Sequence, residues 1–233
     1  MTPPNEKFLI DLGTRVRFFD EMGAEFILKE RSAGKKKTPR PDIPVNIAEA
    51  FEGLKERILR CERCGLSRQR TQAVPGEGSF GAGLMFIGEG PGHDEDVLGR
   101  PFVGRAGQLL TKIIQAMQFE RGDVYITNIV KCRPPENRTP HREEVETCSP
   151  YLLEQIDLIK PRVIVTLGKV ATDFFVPGGG AMGALRGRFC DFHGIRVMPT
   201  FHPSYLIRNE SNKEIRRSVW MDMQQVMEVF GKK

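Results

Sequence analysis

The sequence predicts an α/β domain, a parallel sheet covered by helices on both faces. Two observations carry this. Short apolar runs rich in β-branched residues recur at Leu84–Ile87, Val124–Val130, Val163–Leu167 and Arg196–Phe201. Between them, apolar residues recur three or four apart, at Leu109, Leu110, Ile113, Ile114 and Met117, then at Leu152, Leu153, Ile156 and Ile159. Strands alternating with helices build parallel sheets, because a crossover must bridge two strands running the same way. A chain of 233 residues is long enough for one domain with a sizeable core.

Each element follows from local pattern. Leu9, Leu12, Val16 and Phe19 have the spacing of an amphipathic helix. Arg31 to Val45 holds Lys35, Lys36, Lys37, Pro39, Pro41 and Pro44 and too few apolar residues to enter a core, so it reads as a solvated linker. Residues 1–45 thus stand apart from a domain over 46–233. A helix begins near Asn46, which has capping-box spacing to Glu49. Its stripe, Ile47, Phe51, Leu54 and Ile58, delivers Cys61 and Cys64 at its end. Phe189 to Arg196 forms a hairpin around His193-Gly194. A last helix carries Ile215, Val219, Met223, Val226 and Phe230 on one face.

Charge narrows the function little. Lys plus Arg is 35 and Asp plus Glu is 30, a net charge of +5 that suits a nucleic-acid partner and an ordinary basic enzyme equally. No apolar run approaches the roughly 18 residues of a membrane span. Met1 to Lys7 lacks the basic-then-apolar order of a secretory signal, so a cytoplasmic protein is expected. Five cysteines in a reducing compartment point to metal or redox chemistry rather than disulfides.

Ligands of parallel sheets bind beyond the carboxyl ends of the strands. Three polar motifs fall there: Gly88-Glu89-Gly90-Pro91-Gly92, Asn128, and His202-Pro203-Ser204. The glycine turn is neither of the common phosphate-binding patterns, and Glu89, Glu95 and Asp96 would repel phosphate, so its glycines suit close approach to a flat ligand. Singly, His202 reads as a core histidine, Asn128 as a loop-satisfying amide and Phe102 as a packing residue. Together they offer a stacking ring, an amide with donor and acceptor, and an imidazole donor, a set that can hold a nucleobase. Cys61-x-x-Cys64 with Cys132 and Cys148 supplies four thiolates, suited to tetrahedral zinc or to an iron–sulfur cluster. Cys190 lies in a strand-like stretch and reads as a buried apolar residue.

Three blocks resemble the family 4 uracil-DNA glycosylases. They are Gly88 to Asp96 with Gly99 to Gly107, Thr127 to Pro135 with Asn137, Arg138 and Pro140, and His202 to Arg208. The likeness spans roughly Cys61 to Phe230. It implies a three-layer α/β/α sandwich around a four-stranded parallel sheet, and a [4Fe-4S] cluster on Cys61, Cys64, Cys132 and Cys148. It implies that Phe102 stacks on uracil, Asn128 reads the O4 and N3 edge, His202 contacts O2, and Glu95 crowds C5, where thymine bears its methyl. Better-known uracil-DNA glycosylases carry an aspartate where Gly90 stands, which leaves Glu89 or the turn's backbone carbonyls to position water. Ser204, Leu206 and Arg208 fall in the loop expected to touch DNA, with Leu206 and Ile207 placed either to fill the vacated stack or to pack under the last helix. A superfamily variant that bonds covalently to DNA has a basic insertion after the middle strand; here only Pro134 to Thr139 separates Arg133 from Pro140. The implied partner is uracil-containing DNA, single- or double-stranded, acted on by a monomer. A non-catalytic DNA-binding protein would need no base pocket.

Overall fold

The computed structural model describes residues 45–232. The helix expected over Leu9–Phe19 and the linker expected from Arg31 lie outside the described residues, except for Val45, where the first described helix begins.

Six strands form one sheet: β1 (Glu77–Gly78), β2 (Leu84–Gly88), β3 (Tyr125–Asn128), β4 (Val163–Leu167), β5 (Cys190–Phe192) and β6 (Ile195–Thr200). Their order is β1-β3-β2-β4-β6-β5. The central four are parallel. β1 and β5 add antiparallel edges, so the four-stranded expectation is corrected to six. Both additions are too short to show a period in the sequence, and short strands of this kind blunt a sheet's edges. β5 pairs with β6 only as far as Val197. Pro199 therefore stands where no outer neighbour needs the N–H it lacks.

The parallel strands are buried along their length except for the first two residues of β6, and their residues divide by alternation between two cores. Leu84, Phe86, Val163, Val165 and Met198 face one side, against α3 (Arg105–Ala116) and α8 (Lys213–Val229). Met85, Ile87, Ile164 and Val197 face the other, against α1 (Val45–Leu59), α4 (Arg142–Ile159) and α5 (Lys169–Phe175). The expected stripes of α1, α3, α4 and α8 supply these contacts. Among the described residues there are also three short α-helices: α2 (His93–Leu98), α6 (Met182–Leu185) and α7 (Pro203–Arg208).

Local chemistry sets the helix limits. Asn212 caps α8, its Oδ1 accepting from the Glu214 and Ile215 N–H groups at 3.0 and 3.3 Å. Pro150 interrupts the bonding of α4, and the Glu146 carbonyl it deprives accepts instead from Ser149 Oγ at 3.3 Å. Among the described residues no helix is long and apolar enough to cross a membrane.

Candidate active site and candidate metal centre

β2 and β3 run parallel with Gly88 beside Asn128, so both strands end at one level. The pairing continues into the turn, where Ile129 and Val130 N–H donate to the Gly88 and Glu89 carbonyls at 3.0 and 3.1 Å. Asn128 is 1% exposed, and its Oδ1 is the buried side-chain polar atom without a hydrogen-bond partner among the described residues. Leaving such an atom unsatisfied costs about 1–3 kcal/mol, so its retention marks a place where a ligand donor belongs. A Cβ at Gly88 would stand 2.5 Å from Asn128 Oδ1 and 2.6 Å from Phe102 Cζ. Only glycine leaves both groups in place.

Phe102 closes this corner. Its φ of 51° is left-handed, costly for an aromatic residue and typical of functional sites. Two devices hold it there. Its backbone lies under α3, where a Cβ on Gly107 would come within 1.9 Å of its carbonyl carbon and oxygen. Glu95, in α2, accepts from Gly92 N–H at 3.1 Å, Val103 N–H at 2.8 Å and Gly104 N–H at 2.9 Å. The carboxylate expected to crowd a base carbon is thus committed to the backbone of the Gly92 turn and of the two residues after Phe102.

His202 precedes α7, with its ring centroid 5.7 Å from that of Phe102. Its Nδ1 accepts from Ser204 N–H at 3.1 Å and bonds Ser204 Oγ at 2.7 Å. A backbone N–H can only donate, so the neutral ring carries its proton on Nε2. Burial, then the Arg208 charge, lowers the pKa to about 4, with Glu95 opposing. The ring is a neutral Nε2–H donor at neutral pH.

The other expected residues are distributed as follows. Glu89 is half-buried, hydrogen-bonded by Thr139, and its carboxyl is raised above the usual range by burial. Gly90 has no room for a larger residue, since a Cβ would meet Val130 Cγ2 at 2.8 Å. Ser204 turns to His202. Arg208 is exposed. Leu206 requires correction: it is 1% exposed and lies in the core with α3, so it is not free to enter a base stack. Ile207, half-buried, is the apolar residue of that helix nearer the surface.

Cys61, Cys64, Cys132 and Cys148 line one cavity together with Ile58, Ser67, Lys131 and Tyr151. They come from three places: just beyond α1, the segment after β3, and α4. Arg70 Nη1 donates to Cys132 Sγ at 2.9 Å and Lys131 N–H donates to Cys148 Sγ at 3.3 Å. Burial raises the Cys132 thiol and pushes Cys148 up to about 11. Among the described residues no group of three or more His, Cys, Asp or Glu side chains is arranged to hold a single metal ion. Cys190 lies outside this cavity and is half-buried rather than buried.

Sequence reasoning pointed to Gly88, within the glycine turn, and missed Gly107 as a shape-setting residue. It also missed a buried polar cluster behind Asn128, made by Thr127, Lys131 and Gln155. A lysine inside the apolar stretch Ile129 to Cys132 was the available signal.

Residues 75–224 match the model of the uracil DNA glycosylase superfamily. The chain is 49% identical over 186 residues to a type-4 uracil-DNA glycosylase of Thermotoga maritima, covering 79% of this chain and 96% of that protein. A type-4 uracil-DNA glycosylase of Pyrobaculum aerophilum is 47% identical over 166 residues, 68% of this chain and 85% of the relative. One of Archaeoglobus fulgidus is 37% identical over 193 residues, 79% and 96% of the two chains.

Proposed function

The chain belongs to the type-4 uracil-DNA glycosylases, and from that premise we propose that Asn128, Phe102 and His202 take up a deoxyuridine flipped from DNA and hydrolyse its N-glycosidic bond. The observation that carries this reading is the orphaned Asn128 Oδ1 beside a left-handed Phe102. Uracil N3–H supplies the missing donor and its O4 accepts from Nδ2, while the ring of Phe102 gives the base a stacking face. Cytosine presents the reverse pattern at that edge.

Cleavage of the C1′–N1 bond leaves its electron pair on uracil, mostly at N1 and O2, and makes the sugar cationic. The Nε2–H of His202 faces O2 and stabilises charge that appears only as the bond breaks, the term that usually dominates catalysis. Water then bonds to C1′ and gives up a proton. Glu89, or the carbonyls of the Gly88–Gly92 turn, orients that water. Glu95 contributes by holding the Phe102 turn, and Arg208 offers an exposed charge to phosphate.

The four cysteines fit a [4Fe-4S] cluster. All four donors are thiols, two of them receive N–H donors, and they line one cavity. Bound there, the cluster ties three distant segments together. A monomer acting on single- or double-stranded uracil DNA completes the proposal.

The test is a labelled oligonucleotide with one uracil, incubated with the protein and cleaved by alkali, with the released base identified by mass. Free uracil and cleavage at that position are expected. An intact strand, with the protein bound to it, would leave only DNA binding.

A further inference from the structure

Behind Asn128 the fold buries a lysine amine that the chemistry above does not use. Lys131 is 1% exposed. Its Nζ donates to Thr127 Oγ1 at 2.7 Å, to the Asn128 carbonyl at 2.6 Å and to Gln155 Oε1 at 2.8 Å. An ammonium has three donors, and all three are spent. Gln155 is itself fixed, its Nε2 donating to the Pro75 carbonyl at 2.7 Å and to Tyr125 Oη at 3.1 Å. The other end of the same residue faces the cysteines. Lys131 N–H donates to Cys148 Sγ at 3.3 Å, and Cys132 follows it in the chain. One residue therefore bonds both the main chain of the base-reading asparagine and the wall of the cysteine cavity.

We infer that Lys131 is a positioning residue through which the cysteine centre fixes the Asn128 amide for uracil. The inference rests on the proposed function. The carbonyl of Asn128 is gripped from below, so the residue cannot rotate its backbone and its side chain stays aimed past Gly88. Buried partners that orient a functional group typically matter by roughly 10- to 100-fold when removed. The effect falls on selection of the base, because the network touches Asn128 and neither His202 nor the exposed surface.

The experiment uses iron-loaded full-length protein and DNA carrying 2′-fluoro-deoxyuridine, whose fluorine destabilises the cationic sugar and blocks cleavage. Affinity for this DNA is compared with affinity for the same duplex bearing thymidine. In Lys131→Met, with iron content and visible absorbance unchanged, the preference for the uracil analogue is expected to fall roughly 10- to 100-fold while thymidine-DNA affinity stays constant. An unchanged preference in iron-loaded Lys131→Met overturns the inference. Should Lys131→Met lose iron or fail to fold, Gln155→Met decides. Gln155 reaches the ammonium from α4 and is not a neighbour of the cysteines in sequence, and a reduced preference with iron retained supports the inference where an unchanged one overturns it. Wild-type protein that excises uracil normally separates either outcome from a failure of the proposed function.

Discussion

A neutral imidazole and a charged one place different demands on a substrate oxygen. At His202 the Ser204 N–H fills the Nδ1 lone pair and burial keeps the ring uncharged, so the proton stays on Nε2 across the neutral range. Removing it is expected to slow single-turnover excision by roughly 100- to 1000-fold with little change in DNA affinity. His202→Ala with near-wild-type excision would remove the imidazole from catalysis and leave Glu89 as the leading candidate. The two titrating groups also fix the pH profile. His202 is already neutral above about pH 4, whereas the Glu89 carboxyl is raised by burial and must ionise to accept a proton from water. Excision is expected to climb as pH rises through the Glu89 range and then level off. Glu89→Gln should abolish the acid limb, and a limb that persists in that variant belongs to another group. Asn128 and His202 were legible in the sequence because each lies at or just beyond the carboxyl end of a recognisable strand. The burial of Leu206 was not, since six residues of a short helix do not reveal which side meets the core.

At the scale of the element, the segment from α2 to α3 behaves as one clamp. Glu95 binds three backbone N–H groups, and Gly107 lets α3 approach Phe102 closely enough to keep its φ left-handed. The sequence reading placed Glu95 against the base; its hydrogen bonds tie it to the backbone of Gly92, Val103 and Gly104. Glu95→Gly is therefore expected to lose uracil excision and to gain none on thymine opposite guanine, with Glu95→Gln, which keeps one oxygen, less impaired. Single-turnover rates on both mispairs check this. Thymine release by Glu95→Gly at an undiminished uracil rate would return the carboxylate to steric exclusion. Gly107→Ala carries a second expectation. Alanine favours a helix by about 1 kcal/mol, yet a methyl 1.9 Å from the Phe102 carbonyl must push the turn aside. Excision and thermal midpoint should both drop. The alternating pattern made the four parallel strands and their helices readable. It could not show this clamp, which depends on backbone approach between residues of no fixed period.

Across the whole molecule, the two sites share one stretch of chain. Asn128 ends β3, Lys131 follows inside the core, and Cys132 turns into the cysteine cavity four residues on. That cavity draws together the end of α1, this segment and α4, which are separated by long intervals of sequence. A bound cluster at such a junction stabilises the folded chain, because the unfolded chain has no site to bind it. Burial holds the Cys132 and Cys148 thiols in their protonated range, so loading the centre must displace those protons, and two buried thiolates without a metal would be destabilising. Anaerobically purified protein is accordingly expected to contain iron and sulfide and to absorb broadly in the visible. Cys132→Ser should lose iron and lower the thermal midpoint. Its excision of uracil should fall further than its affinity for undamaged DNA, because the segment bearing Asn128 loosens while the exposed surface does not. Protein expressed with iron available that holds stoichiometric zinc and no iron would overturn the cluster assignment. A Cys132→Ser protein that loses iron yet keeps its excision rate would show instead that the two sites share a chain segment without sharing a function.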